Sequence, residues 1–186
     1  MKKIFFILTA TTVVLAFSAC KQEKKTEDII VEKVIEKPHD APVSMEGMQN
    51  HGTVKWIGGA TYTYTIERSS IDSLGLVENN GVKYHDNAIR LTVKRSDGTE
   101  FFKKTFTKAN FAPALTKQFK DTGILLGMNL DEAEGNELKF VVCIGSPDES
   151  NDELYYVLMK LNNFGGTSAE PYSGERGEGG ATEEEE

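Results

Sequence analysis

The sequence predicts an all-β domain, a β-sandwich or a partly open antiparallel barrel with one short helix, and three observations carry that expectation. Thr61-Tyr62-Thr63-Tyr64-Thr65-Ile66 alternates strictly, with Tyr62, Tyr64 and Ile66 on one face and three threonines on the other, which is the period of a half-buried strand. About seven or eight short apolar runs follow one another along the chain, with Gly, Asn, Asp or Ser turn signals between them. Helical stretches are too few to make the crossovers that parallel strands need.

Each element can be justified in turn. Val54, Trp56 and Ile57 lead into the alternating strand, and Gly58-Gly59 marks a turn or bulge between the two pieces. Residues 74–77 and 82–84 flank Glu78-Asn79-Asn80-Gly81, and Asn-Gly readily takes the positive φ angles of a tight hairpin. Ile89, Leu91 and Val93 alternate with Arg90, Thr92 and Lys94 until Ser96-Asp97-Gly98 turns the chain, and residues 100–106 return with Phe101, Phe102 and Phe106. The one helix is expected over residues 113–120, with Pro113 at its first position, where the missing donor costs nothing. Leu115 and Phe119 lie four apart and, with Phe111, form a stripe that should cap one end of the β core before Gly123 ends the helix. Residues 124–130, 138–144 and 154–161 are three further apolar runs, and the last two carry apolar residues on both faces, as central strands covered on each side would.

Length and composition place this β domain at residues 51–166. The formal charge of the chain is -8, and residues 168–186 hold seven Glu and one Arg, so much of the acidity belongs to a tail ending in Glu183-Glu184-Glu185-Glu186. Residues 167–186 read as a disordered acidic tail, because Gly, Ser and Glu bury too little apolar surface to offset ordering entropy. A nucleic-acid partner is disfavoured, since no block clusters Lys and Arg on one face.

The N-terminus has a different logic. Met1-Lys2-Lys3 is a positive n-region, residues 4–17 an apolar run, and Ser18-Ala19 a pair of small residues directly before Cys20. A helix over those fourteen residues would span only about 21 Å, short of a roughly 30 Å hydrocarbon core. Leu15-Ala16-Phe17-Ser18-Ala19-Cys20 instead resembles the lipobox of bacterial lipoproteins, with Phe17 where leucine is commonest. The resemblance implies that residues 1–19 are a signal peptide, that the Cys20 thiol receives a diacylglyceryl group, and that the freed amine is acylated. Lys21-Gln22-Glu23 lacks an aspartate at the second position, and by resemblance to sorting signals this implies the outer membrane. Residues 20–50 then form a lipidated tether. Within it, the run from Ile29 to Ile35 has five β-branched residues in seven and would suit pairing with a sheet edge or a partner.

No catalytic, cofactor or metal constellation stands out. With Cys20 assigned to lipid, Cys143 has no intrachain partner, and its apolar setting, Phe140-Val141-Val142-Cys143-Ile144, favours an inert thiol. Asp131, Glu132, Glu134 and Glu137 crowd one connector, while Asp148, Glu149, Asn151, Asp152 and Glu153 crowd the next. Neither follows a calcium loop, and in a meander they fall at opposite ends. His39, His51 and His85 show no zinc spacing. In Tyr84-His85-Asp86 the neighbouring side chains of an extended strand point to opposite faces, which argues against an acid/base pair. Glycine-rich phosphate loops and a Gly-x-Ser-x-Gly elbow are absent. Trp56, Tyr62, Tyr64, Tyr155 and Tyr156 could line a barrel mouth, although cross-strand packing is the commoner use of such residues.

From Tyr62 to Leu161 the order of segments resembles a family of small lipoproteins of gut-type Gram-negative bacteria that carry a domain of unknown function. The resemblance is carried by Tyr84-His85-Asp86-Asn87-Ala88-Ile89-Arg90-Leu91, Lys94-Arg95-Ser96-Asp97-Gly98, Phe106-Thr107-Lys108 and Ile144-Gly145-Ser146-Pro147-Asp148. It implies an envelope location and no particular activity. The expectation is a lipid-anchored, non-catalytic module that binds an envelope partner or serves an accessory role; the alternative is a carrier of a small lipid or carbohydrate.

Overall fold

Strand period and turn chemistry build two antiparallel sheets in the computed structural model, which describes residues 41–148 and 151–174. Residues 1–40, with the expected signal segment, Cys20 and the Ile29 to Ile35 run, lie outside the described residues, as do Glu149, Ser150 and 175–186. β1 (Met48–Trp56) and β2 (Ala60–Ser70) form the first hairpin. It turns through Gly58 and Gly59 at φ 65° and 79°, a left-handed backbone that glycine adopts without a Cβ clash. β3 (Leu76–Asn79) and β4 (Val82–His85) make a small second hairpin around Asn80 and Gly81, at φ 50° and 80°. β5 (Asn87–Arg95) and β6 (Glu100–Thr107) complete a sheet of order β1-β2-β5-β6.

The second sheet is a meander. β7 (Ile124–Glu134), β8 (Glu137–Gly145), β9 (Leu154–Asn162) and β10 (Thr167–Pro171) pair in the order β10-β9-β8-β7. The two sheets share no ladder, so the architecture is a β-sandwich and not a closed barrel. β7 packs across β1, β2 and β5. Between the layers lie Ile66, Ile89, Leu91 and Val93 of the first sheet and Leu138, Phe140, Val142 and Ile144 of β8, all at 0% exposure. Their burial is the main favourable term holding the layers together.

Four expectations change. The two strands expected to be covered on both faces, β8 and β9, are buried on one face only: Leu138, Phe140, Val142 and Ile144 of β8 and Val157, Met159 and Leu161 of β9 are covered, whereas Val141, Cys143 and Leu158 are half-exposed and Tyr156 is exposed. The single six-residue helix contacts one end of β8 and is too short to roof that outer face. The helix itself starts later than Pro113. Residues Lys108–Ala114 form a 3-10 turn with Pro113 inside it, Leu115 is extended at φ -98° and ψ 143°, and α1 covers Lys117–Thr122. A three-residue period puts Phe111 and Ala114 on one buried side, and the extended Leu115 is then buried as well, so the expected stripe does cap the core without being one helix.

The sheets also outrun the expected boundaries of 51 and 166. β1 begins at Met48, and residues 167–171, expected to open the tail, form β10 on the free edge of β9. Asn162 Oδ1 accepts the N–H groups of Phe164 at 2.9 Å and Gly166 at 2.8 Å, which turns the chain back. Lys160 then meets Glu170 at 2.6 Å. Likewise β7 continues to Glu134 through the first acidic connector, because Lys139 on β8 bridges Glu132 at 2.8 Å and also holds Glu134.

Candidate functional site

Asp86 and Asn87 are the two buried polar residues among those described, at 7% and 0% exposure, and they sit where β4 hands over to β5. Buried polar groups must find partners, so their bonds show what the position does. Asp86 Oδ1 accepts the Asn87 N–H at 2.8 Å and the Leu125 N–H at 3.0 Å. Asn87 Nδ2 donates to the Leu125 carbonyl at 2.9 Å, and Ser70 Oγ donates to Asn87 Oδ1 at 2.9 Å. Leu125 lies on β7, an edge strand, and both of its backbone groups point away from β8. Arg68 adds a third grip, donating to the Leu126 carbonyl at 2.5 Å and to Glu46 at 2.6 Å. Side chains on and beside the first sheet thus satisfy the open edge of the second at Leu125 and Leu126.

The other oxygen of Asp86 faces a cleft. Asp86 Oδ2 lies 3.7 Å from Lys108 Nζ, and Lys108 also donates to the Gly123 carbonyl at 2.5 Å. The cleft holds about 350 Å³ and is walled by Leu74, Ala109, Ala112 and Leu115, with Asp86, Lys108 and Lys120 as its charged groups. A second hollow of about 390 Å³ lies among Gln49, Glu67, Ser69, Arg90 and Thr105. Met48, Ile71 and Ala88 also line it, but its lining is more polar than that of the Asp86 cleft and Arg90 is paired with Glu67 at 3.7 Å, so the Asp86 cleft is the better candidate for an apolar ligand.

The residues singled out in the sequence disperse. His85 faces Asp72 at 3.7 Å while Asp86 turns to Leu125 and Lys108, so these neighbours form no dyad. Glu132 and Glu134 are engaged by Lys139, whose hydrogen bonds hold the Glu134 carboxyl below its usual range. Asp148 accepts from Asn80 at 3.0 Å and Glu153 from Gln118 at 3.2 Å, and the two acidic connectors stand at opposite ends of the meander. Among the described residues no three His, Cys, Asp or Glu side chains converge as metal ligands. The aromatics do not share a mouth. Trp56 packs edge-on against Tyr62 and Phe101, each with centroids at 5.3 Å, Tyr64 meets Phe140 at 6.4 Å, and Tyr155 meets Phe119 at 5.0 Å. Tyr156 points outward at 40% exposure.

Cys143 lies on the outer face of β8, opposite Tyr156. Partial burial pushes its thiol up to about 11, against a smaller opposing effect of a Tyr156 hydrogen bond. At pH 8 only roughly one thiol in a thousand is then thiolate. Titration with a disulfide reagent is expected to be slow at pH 8 and to accelerate about tenfold per pH unit up to pH 10. Fast modification at pH 7 would contradict this placement.

Sequence reasoning passed over Lys108 and gave Asp86 no role, although Tyr84-His85-Asp86-Asn87 and Phe106-Thr107-Lys108 were both conspicuous. The missing information was what the two segments meet at the start of β7, since Leu125 lies 39 positions from Asp86 and Gly123 15 from Lys108. No curated protein matches the sequence. The model of a family described as a domain of unknown function, DUF4738, matches residues 28–169, so the chain belongs to that family.

Proposed function

We propose that this is a lipid-anchored cell-envelope protein of the bacterial outer membrane, whose β-sandwich is a non-catalytic binding or accessory module for another envelope protein. The observation that carries the reading is the N-terminal run that ends in small residues before Cys20, too short to span a bilayer as a helix. Two or three acyl chains anchor a protein stably on a bilayer, whereas one chain alone binds marginally. The sandwich fits a non-catalytic role, since its buried carboxylate is committed to backbone N–H groups and to Lys108. Cells fed labelled palmitate are expected to label the full-length protein, and Cys20→Ala is expected to abolish both label and membrane sedimentation. An unlabelled wild-type band would overturn the proposal.

A second reading, carriage of a small ligand, is favoured by one observation. The Asp86 cleft, at about 350 Å³ with few polar groups, falls in the range of roughly 300–1,000 Å³ usual for ligand pockets. Its place differs from the tyrosine-lined mouth expected from sequence.

A further inference from the structure

We propose that the Asp86 cleft binds a small anionic amphiphile, a carboxylate head on a short apolar chain, an inference that rests on the carrier reading. The walls determine the tail. Leu74, Ala109, Ala112 and Leu115 present methyl and methylene groups, and two alanines leave width between the 3-10 turn and the loop ahead of β3. Such a surface stabilises hydrocarbon and supplies none of the directed donors and acceptors a sugar ring requires. The volume of about 350 Å³ admits roughly ten non-hydrogen atoms.

The charges determine the head. Two ammonium groups, Lys108 and Lys120, face one carboxylate, Asp86, so the cleft carries an excess positive charge. Asp86 Oδ1 is occupied by two backbone N–H groups and its Oδ2 stands 3.7 Å from Lys108, so the charge of Asp86 is balanced within the cleft and Lys120 is the excess cation. Lys108 has three N–H donors; one reaches the Gly123 carbonyl, and its ion pair with Asp86 at 3.7 Å is too long for a hydrogen bond, so donor capacity remains for an incoming acceptor. Its side chain is only 16% exposed, and a charge-assisted hydrogen bond made there meets little competition from water. Lys120, in the last turn of α1, forms no ion pair among the described residues and completes the positive rim. A cationic head would meet both ammonium groups.

The test uses the mature chain, kept unlipidated by Cys20→Ala, and follows its amide resonances during titration with sodium octanoate, octanol or octylammonium. Octanoate is expected to give saturable shifts confined to Leu74, Gly75 and residues 108–120, with octanol at least tenfold weaker and octylammonium without effect. Gly75→Trp should abolish the shifts without unfolding the protein, because a Cβ at Gly75 meets no atom within 4 Å and its φ lies outside the left-handed region. Lys120→Glu should weaken octanoate at least fivefold. Octanol binding as tightly as octanoate, or Lys120→Glu binding like the parent, would overturn the anionic head while leaving a carrier intact. No localised, saturable shift with any of the three would sink both.

Discussion

Asp86→Ala is expected to lower stability by about 3–5 kcal/mol, the usual cost of removing one partner of a buried pair. Two losses combine. Lys108, at 16% exposure, is left without its counter-charge, and the Leu125 N–H loses its acceptor in a site closed to water. Asp86→Asn separates the two, because the amide oxygen still accepts from Leu125 while the charge is gone; about half the loss should return. Urea unfolding at 25 °C checks both variants through the midpoint at constant m-value. A shift under about 1 kcal/mol for Asp86→Ala would mean that the β4 to β5 junction does not hold the sheets together.

Phe140→Ala should cost a similar amount, about 3–5 kcal/mol, by a different route. The ring is at 0% exposure in the middle of β8, pinned between β7 and β9 and met edge-on by Tyr64. Close-packed neighbours on three sides collapse only partly into the space left behind, so a cavity penalty adds to the lost transfer energy. Val141→Ala, one residue along, is the control. Its side chain is on the half-exposed outer face, and the cost there should stay below about 1 kcal/mol. Equal losses at both positions would mean that β8 is covered on each face after all.

How far the fold was legible follows from which interactions are local. Thr61 to Ile66 announced β2 because the period-two pattern is written in consecutive residues, and Asn80-Gly81 announced its turn because left-handed φ is a single-residue property. Pro113 misled because proline suits the first turn of an α-helix and a 3-10 turn equally, and what decided was the need to bury Phe111, Ala114 and Leu115 against the sheets. Val141 and Cys143 misled because apolar residues on both sides of a strand do not say whether anything covers the second side. β10 was missed because a five-residue strand of Thr, Ser, Ala, Glu and Pro has little signal of its own and depends on the free edge of β9. The candidate site was legible only as fragments. Asp86 and Lys108 belong to different segments, and only the packing of β7 against the first sheet brings Leu125 to both Asp86 and Asn87.

The completed edge of β7 has one more effect. Unpaired strand edges recruit the edges of other molecules, and proteins guard against such polymerisation. Here the guard is the grip of Arg68, Asp86 and Asn87 on Leu125 and Leu126, and it belongs to the opposite layer. Separation of the layers would therefore bare a sticky border in the same event that loosens the core, and light scattering during thermal unfolding is expected to rise together with the loss of structure.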